Sequence, residues 1–354
     1  MVKWVIGIVF VVLMVGCQNQ SGEEITHGEA KNNNAPSAEL ESLSMEVTES
    51  EARFLVDDLF AIIDGEYAYD EIHRTLQMTI NDESYYLIDG VKVLERNGEY
   101  LPTDEIYLMI EGDHVYLPAS FLNQGLGIDF QYEESALVFG WKGPTERVGG
   151  PPTNFDFDSW DADRMVEYLS FLQKPIKNAQ VSTLPNHLPG AKRLYRNGYH
   201  EGLDWYDFAS GGNISSETPI YAMGEGKVVR ADHDYEEYPT AEVRNEDLKL
   251  TAALKETPEY IFDRLRGRQV WVQYDNGIMS RFAHLSHIPE EVKVGDKVND
   301  ETVIGFVGNS GTSGAVNQDD TELHLHQDLL IYGELFWKPL SQEEVHDVLV
   351  RVFK

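Results

Sequence analysis

The stretch His324-Leu325-His326, near the carboxyl end of the 354-residue chain, decides the fold. Residues two apart on a β-strand point to the same face of the sheet, so both histidines share one face while Leu325 points into the core. A second polar stretch, His200-Glu201-Gly202-Leu203-Asp204, lies about 120 residues earlier, and His284 stands between the two. These residues predict one polar site carried by strands of a β-sheet.

The side chains in these stretches are of the kinds that bind zinc. A catalytic zinc ion takes three protein ligands and keeps a fourth position open. His200, Asp204 and one of the two late histidines can supply the ligands, which leaves the other late histidine free to accept a proton. On an extended strand about 13 Å would separate His200 from Asp204, so the chain must bend, and Gly202 permits a bend. His284 could donate a hydrogen bond to a developing oxyanion.

The charge of the chain limits its partners. It has 61 acidic and 28 basic residues, with a formal net charge of −33. Proteins that bind nucleic acids need a basic surface, so no nucleic-acid partner is expected. The acidic excess is expected to serve solubility. The length of the chain predicts two domains with connecting segments.

The first 16 residues have the features of an export signal. Lys3 precedes an apolar run from Trp4 to Val15, which is too short to span a bilayer. The following Leu13-Met14-Val15-Gly16-Cys17 resembles the lipobox of bacterial lipoproteins, and Cys17 is the only cysteine. We therefore expect a lipid on Cys17 and an extracytoplasmic location, at the outer face of the cytoplasmic membrane or at an outer membrane. The alternative is an ordinary secretion signal with an incidental cysteine.

Composition and hydrophobic spacing divide the rest of the chain. A polar segment follows the signal, a Gly-Pro-rich stretch separates two folded units, and an amphipathic segment ends the chain. The predicted parts are a flexible tether over 17–49, a small α+β domain over 50–142, a linker with a short helix over 143–183, a larger domain over 184–340 and a helix over 341–354.

The small domain is predicted to begin with a helix over 50–63, followed by short strands. Its segments Val115–Leu122, Leu126–Phe130 and Ala136–Phe139 resemble the domain related to the amino-terminal domain of copper amine oxidases. That resemblance implies a spacer or a wall-binding module, without copper chemistry, since the domain has no histidine cluster.

The larger domain resembles the lysostaphin-type zinc metallopeptidases of bacterial cell walls. The resemblance rests on motifs in family order: His200-x-Gly-x-Asp204, Thr218–Val229, Ala283-His284-Leu285, Val292–Val298, Gly305–Gly311 and His324-Leu325-His326. It implies one zinc ion with His200, Asp204 and His326 as ligands. It further implies His324 as general base and His284 as a second catalytic histidine. The implied function is a zinc endopeptidase that hydrolyses the peptides of peptidoglycan, and the lipid expected on Cys17 would make it membrane-anchored.

The expected fold class is mainly β or α+β: an antiparallel β-sheet peptidase domain with a helical insertion over about 232–268, preceded by the small α+β domain. The insertion is either a wall of the substrate groove or a surface elaboration. The loop Ala315–Asp320 and the pair Gln327-Asp328 depart from the family pattern. Two alternatives stay open for function: a catalytically silent wall-binding scaffold or activator, and a peptidase acting on surface proteins. The sequence specifies no partner protein and no particular peptidoglycan bond.

Overall fold

The computed structural model describes residues 40–48, 51–142, 147, 149–196 and 198–354. The predicted signal peptide, Cys17 and most of the predicted tether lie outside these residues. Within the described residues, no helix combines the length and the apolar character needed to cross a membrane.

The amino-terminal part of the described chain forms a small α+β domain with three antiparallel sheets, ordered β1-β12-β11, β2-β3-β10-β9 and β4-β5-β6-β7-β8. The strands are β1 (Leu40–Ser44), β2 (Glu46–Val47), β3 (Ala52–Leu55), β4 (Gly65–Asp70), β5 (Thr75–Ile80), β6 (Glu83–Ile88), β7 (Glu95–Arg96), β8 (Glu99–Tyr100), β9 (Met109–Glu111), β10 (His114–Pro118), β11 (Phe130–Glu133) and β12 (Ala136–Gly140). A short helix, α1 (Val56–Phe60), and a π-helical turn, Phe121–Gly125, complete the domain.

Two predictions for this domain are wrong. The helix predicted over 50–63 is reduced to α1, because residues 52–55 form β3 and pair with β10, where Phe54 lies opposite Leu117. Burial of Phe54 in the core of the sheets outweighs the local helical spacing. The predicted tether also ends too late, since residues 40–44 form β1 and pair with β12.

The carboxyl-terminal domain is built on a seven-stranded sheet of order β15-β22-β19-β18-β17-β20, with β23 paired to β22. Its strands are β13 (Lys192–Arg193), β14 (Gly198–Tyr199), β15 (Leu203–Trp205), β16 (Pro219–Tyr221), β17 (Gly226–Ala231), β18 (Val270–Tyr274), β19 (Ile278–Ala283), β20 (Lys297–Val298), β21 (Val303–Phe306), β22 (Leu325–Ile331) and β23 (Glu334–Leu335). Its helices are α2 (Ala162–Leu169), α3 (Asp207–Ser210), α4 (Ala241–Leu254), α5 (Glu259–Arg266), α6 (Ser313–Asn317) and α7 (Gln342–Val352). The pairings in the large sheet are antiparallel, which confirms the predicted fold class.

The second half of the predicted linker belongs to this domain. The predicted short helix is present as α2, begins at the capping side chain of Asp161 and packs against the terminal helix α7. Met165 and Leu169 of α2 are fully buried in the same core as Leu325 of β22. The linker therefore ends before α2, because the apolar face of this helix needs the sheet to cover it.

The predicted insertion consists of α4 and α5. An ion pair fixes α5 to the sheet, since Arg230 of β17 binds both Asp232 and Asp263. Gln269, just before β18, donates a hydrogen bond to the same Asp263 carboxylate over 3.0 Å. The carboxyl-terminal part of the insertion is therefore held against β17 and the start of β18.

The small domain packs on the large sheet through an apolar contact. Ile88, Val93 and Tyr100 form one buried cluster with Trp271 and Leu330 of the carboxyl-terminal domain. These residues bring β8 of the small domain onto strands β18, β19 and β22.

Candidate metal centre

Strand β22 places the polar residues next to each other. Its residue His326 pairs with Asp204 of β15 on one side and with Ala283 of β19 on the other. His284 follows directly at the end of β19, and His324 precedes β22 in a bridge to Gly308. The two separated sequence stretches therefore meet on adjacent strands. His324 and His326 lie on one face, as their two-residue spacing predicts.

His200, Asp204 and His326 form a compact buried group. The Asp204 Oδ1 atom lies 3.0 Å from His200 Nε2 and 2.8 Å from His326 Nδ1. The two ring nitrogens are 3.2 Å apart, and one ligand atom from each residue falls within 4.8 Å of the others. Among the described residues, this is the one group with the composition and spacing of a metal site.

The outer nitrogens of the two rings determine which atoms face this group. His200 Nδ1 lies 3.1 Å from the Leu188 carbonyl, and His326 Nε2 lies 2.8 Å from Asp328 Oδ1. Both partners only accept hydrogen bonds, so these ring nitrogens donate and the inner nitrogens keep their lone pairs. With neutral rings, three acceptors converge without a donor among them, and this arrangement fits a zinc cation.

The electrostatics agree with a cation. Burial raises the pKa of the Asp204 carboxyl, but His200 and His326 outweigh burial and hold that pKa well below its usual range. Burial likewise lowers the pKa of His326, yet Asp328 and Asp204 raise it to about 9. Asp204 and Asp328 place negative charge around His326. That charge favours a proton on His326, and a bound divalent cation would neutralise it.

Gly202 serves a different purpose from the predicted one. The chain does bring His200 and Asp204 together, but Gly202 does not have a left-handed backbone. A Cβ atom at this position would lie 2.3 Å from the Gln327 carbonyl oxygen and 2.6 Å from Asp328 Oδ1. The glycine is therefore needed for the close approach of β15 to β22.

His324 and His284 line the other side of the same cavity. The Nδ1 atom of His324 lies 2.6 Å from the Glu322 carbonyl, and that of His284 lies 2.8 Å from the Ser310 carbonyl. In the neutral rings both Nδ1 atoms donate, so both Nε2 atoms are acceptors. His324 Nε2 is 3.6 Å from Asp204 Oδ1, which places His324 beside the three candidate metal ligands. The ring of Tyr206 stacks on His324 at 4.2 Å.

The hydrogen-bond donor role predicted for His284 disagrees with this geometry. Its Nε2 can donate only from the protonated ring, and burial, together with His324 and His326, lowers its pKa well below the usual value. The backbone of His284 is left-handed, with a φ of 61°, a conformation that non-glycine residues adopt rarely. Its amide donates to the Arg266 carbonyl over 2.8 Å, which holds this turn in place.

The group of His200, Asp204 and His326 opens into a cavity of about 590 Å³. Insertion residues Arg244, Leu248, Phe262 and Leu265 line it, so the insertion is a wall of the cavity and not a remote surface elaboration. Arginines from outside the insertion helices also reach the cavity, and Arg193 Nη2 lies 3.4 Å from Asp204 Oδ2. Arginines thus line the cavity beside acidic residues such as Glu201 and Glu322.

Sequence reasoning missed Asp328 and Tyr206. Asp328 lies two residues after His326, so strand alternation places both on one face and could have identified it. Tyr206 directly follows β15 in extended backbone, two residues after Asp204, so alternation places both on one face, and the register of β15 with β22 sets Tyr206 opposite His324. The predicted site residues His200, Asp204, His284, His324 and His326 all line the cavity.

Comparison with known proteins finds one matching family model. A family model described as peptidase family M23 matches residues 198–335. No curated protein shows a significant match. A structure described as an M23 peptidase from Pseudomonas aeruginosa is 17% identical, covers 70% of this chain and 85% of that chain, and has a TM-score of 0.29.

Two other solved structures are similar. Lysostaphin from Staphylococcus simulans, an antimicrobial peptidase, is 23% identical over 47% of this chain and 49% of that chain, with a TM-score of 0.25. A zinc-containing peptidase from Vibrio cholerae is 14% identical over 80% of this chain and 97% of that chain, with a TM-score of 0.32. Residues 198–335 of this chain thus match the model of peptidase family M23, and the His-Asp-His group within them fits the zinc ion of a metallopeptidase domain.

Proposed function

We propose that this protein is a membrane-anchored zinc endopeptidase that hydrolyses peptide bonds of peptidoglycan outside the cytoplasm. One observation carries the enzymatic part of the proposal. His200, Asp204 and His326 present three ligand atoms, while His324 and His284 turn acceptor nitrogens into the same cavity. A scaffold that had lost catalysis would have no need to keep both additional histidines beside a complete ligand set.

The catalytic roles follow from the ring orientations. When bound, zinc would polarise the scissile carbonyl and lower the pKa of the attacking water. His324 accepts the proton of that water at Nε2, because its Nδ1 is fixed by the Glu322 carbonyl. The protonated Nε2 can then donate to the leaving amine. His284 offers a second acceptor nitrogen and becomes a donor only after it has taken a proton.

The cavity supports a peptide substrate. It is partly open, and Tyr206 and Phe208 provide apolar surface beside the guanidinium groups of Arg193 and Arg244. Such a lining suits an extended peptide that carries carboxylates. Peptidoglycan peptides are of this kind, and the resemblance of the histidine motifs to lysostaphin-type enzymes also favours them.

The experiment uses the full-length chain, purified in detergent and loaded with zinc. It is incubated with purified cell walls in one arm and with a general protein substrate in the other. Mass spectrometry of released muropeptides is expected to show cleaved peptide bonds and intact sugar chains. Cleavage of protein alone would favour a surface-protein peptidase. Zinc binding without hydrolysis in either arm would favour a scaffold.

The membrane anchor rests on Cys17, which would carry the lipid. Replacing Cys17 by alanine is expected to move the protein from the membrane fraction to the soluble fraction, since a single apolar signal core cannot retain it. Cell fractionation followed by mass spectrometry of the amino-terminal peptide tests the anchor. A Cys17→Ala protein that stays with the membrane would contradict it.

A further inference from the structure

Asp328 is a buried carboxylate behind a metal ligand. It is fully inaccessible to solvent, and its Oδ1 accepts the hydrogen bond from His326 Nε2 over 2.8 Å. Its second oxygen, Oδ2, lies 3.2 Å from Arg266 Nε and 3.8 Å from Arg281 Nη1. A carboxylate in this position fixes the tautomer and the orientation of a ligating histidine.

The two arginines come from different parts of the molecule. Arg266 is the last residue of insertion helix α5, and its guanidinium lies over the ring of Phe262 at 4.5 Å. Arg281 lies on β19, directly opposite Asp328 in the register with β22. Its guanidinium lies over the ring of Trp271 at 4.6 Å. Each arginine therefore has one side on an aromatic ring and one edge toward Asp328.

The small domain contacts Arg281 through Tyr100. The Tyr100 hydroxyl lies 3.5 Å from Arg281 Nη2, and the ring meets Trp271 edge to face at 5.1 Å. The Tyr100 amide also donates to the Gln273 side chain over 3.0 Å. Tyr100 is 3% exposed, so these contacts are shielded from water. The small domain is thus connected to His326 in three steps: the 3.5 Å contact of Tyr100 with Arg281, the 3.8 Å ion pair of Arg281 with Asp328, and the 2.8 Å hydrogen bond of Asp328 with His326.

We propose that Tyr100 of the small domain and Arg281 are positioning residues for the metal ligand His326, and that they act through Asp328. The small domain then completes the metal centre in addition to any role as a spacer. The inference rests on the proposed zinc site. Its physical basis is electrostatic: Asp328 Oδ2 makes no hydrogen bond to any described residue, so the charges of Arg266 and Arg281 compensate that oxygen, while Trp271 and Tyr100 contact Arg281.

The test measures zinc affinity of the full-length chain in detergent, by competition with a chromophoric chelator. Asp328→Asn is expected to weaken zinc binding by about 10- to 100-fold. Tyr100→Phe removes one hydroxyl and keeps the ring, and it is expected to weaken binding by about two- to tenfold. Tyr116→Phe is the matched control, because Tyr116 is a buried tyrosine of the small domain whose hydroxyl contacts Glu46 over 3.4 Å.

Arg281 is tested with two variants. Arg281→Met is expected to weaken zinc binding more than Tyr100→Phe, and Arg281→Lys is expected to restore part of the loss because it keeps a charge beside Asp328. The visible spectrum of the cobalt-substituted protein should change in Asp328→Asn and Tyr100→Phe but not in Tyr116→Phe. Thermal unfolding of the metal-free proteins shows which variants still fold, including Tyr100→Phe, because the Tyr100 hydroxyl also hydrogen-bonds the carboxylate of Glu95.

A double variant separates positioning from general domain packing. If Tyr100 acts through Asp328, Tyr100→Phe costs no further zinc affinity when Asp328 is already asparagine. A full additional loss in that background, or wild-type affinity in the Tyr100→Phe single variant, overturns the inference. Failure of the wild-type chain itself to bind zinc would instead remove the proposed function, and the inference with it.

Discussion

Two edges of one cavity both carry histidines, which bind the metal at one edge and accept a proton at the other. The ligand edge consists of His200, Asp204 and His326, and the base edge consists of His284 and His324. At the ligand edge the pKa of His326 is raised to about 9, because Asp328 and Asp204 outweigh the effect of burial. At the base edge burial is the largest cause and lowers the pKa of both histidines.

His326 differs from the two base-edge histidines in what its outer ring nitrogen contacts. Asp328, a carboxylate, holds the outer nitrogen of His326, whereas the backbone carbonyls of Glu322 and Ser310 hold those of the base edge. A full negative charge favours a cation at the inner nitrogen, and a neutral carbonyl leaves the ring neutral. The two edges thus separate metal binding from proton transfer, and the variants below test that separation.

The largest expected effect comes from the ligand edge. His200→Ala and His326→Ala each remove one of three ligands, so both zinc binding and hydrolysis should fall below detection. Metal analysis after dialysis, with a peptidoglycan assay on the same samples, checks this. Chelation and zinc addition should restore the wild-type chain and neither variant. A variant that keeps one bound zinc per chain would show that the ligand set is assigned wrongly.

His324→Ala should lower hydrolysis and leave zinc binding unchanged. The three ligands remain, so zinc stays bound, but hydrolysis should fall by about 10²- to 10⁴-fold without the general base. Rates are compared at equal zinc occupancy. Hydrolysis at the parental rate would remove His324 from the mechanism while leaving the metal site intact.

His284 distinguishes a proton acceptor from a hydrogen-bond donor. His284→Ala should lower hydrolysis by about 10²- to 10³-fold with zinc retained, and His284→Asn should be equally impaired. Asparagine tolerates the left-handed backbone, and its amide can donate but cannot accept a proton in this role. A clear recovery of kcat in the asparagine variant would favour the donor role and contradict the acceptor geometry.

Much of the site could be predicted because alternation along a strand is a local property. The spacing of His324 and His326 placed both on one face before any pairing was known, and all the predicted site residues line the cavity. The same rule applied two residues further would have reached Asp328. The function of Gly202 could not be found in this way, because the Gln327 carbonyl it must avoid belongs to another strand.

Predictions failed where tertiary contacts overrode local pattern. The spacing over 50–63 is helical, yet residues 52–55 pair with β10 because Phe54 is buried between sheets. The role of the insertion also depended on packing, since helix α5 is positioned by the ion pair between Arg230 and Asp263. Pairings between residues so far apart in the chain have no signal in a single sequence.

The pH dependence of hydrolysis should report the base edge. A general base works only when neutral, and protonation increases as the pH falls through its pKa. Because burial lowers the pKa of His324, the acidic limb of kcat/KM should have its midpoint below 6.5, the ordinary histidine value, and the rate should fall about tenfold per pH unit below that midpoint. A bound cation nearby would shift this pKa in the same direction. A midpoint above about 6.5, or the same acidic limb in the residual activity of His324→Ala, would contradict this assignment.

The smallest expected effect concerns the orientation of the His324 ring at the base edge. The ring of Tyr206 stacks on His324 at 4.2 Å and within 8° of parallel, so it limits the rotation of the base. Tyr206→Ala should lower kcat by about two- to tenfold, the effect of losing one aromatic contact, with zinc affinity unchanged. Tyr206→Phe keeps the ring and should stay close to wild type. If phenylalanine is as impaired as alanine, the hydroxyl and not the stack positions His324. A loss of zinc in either variant would show that the two edges are not independent.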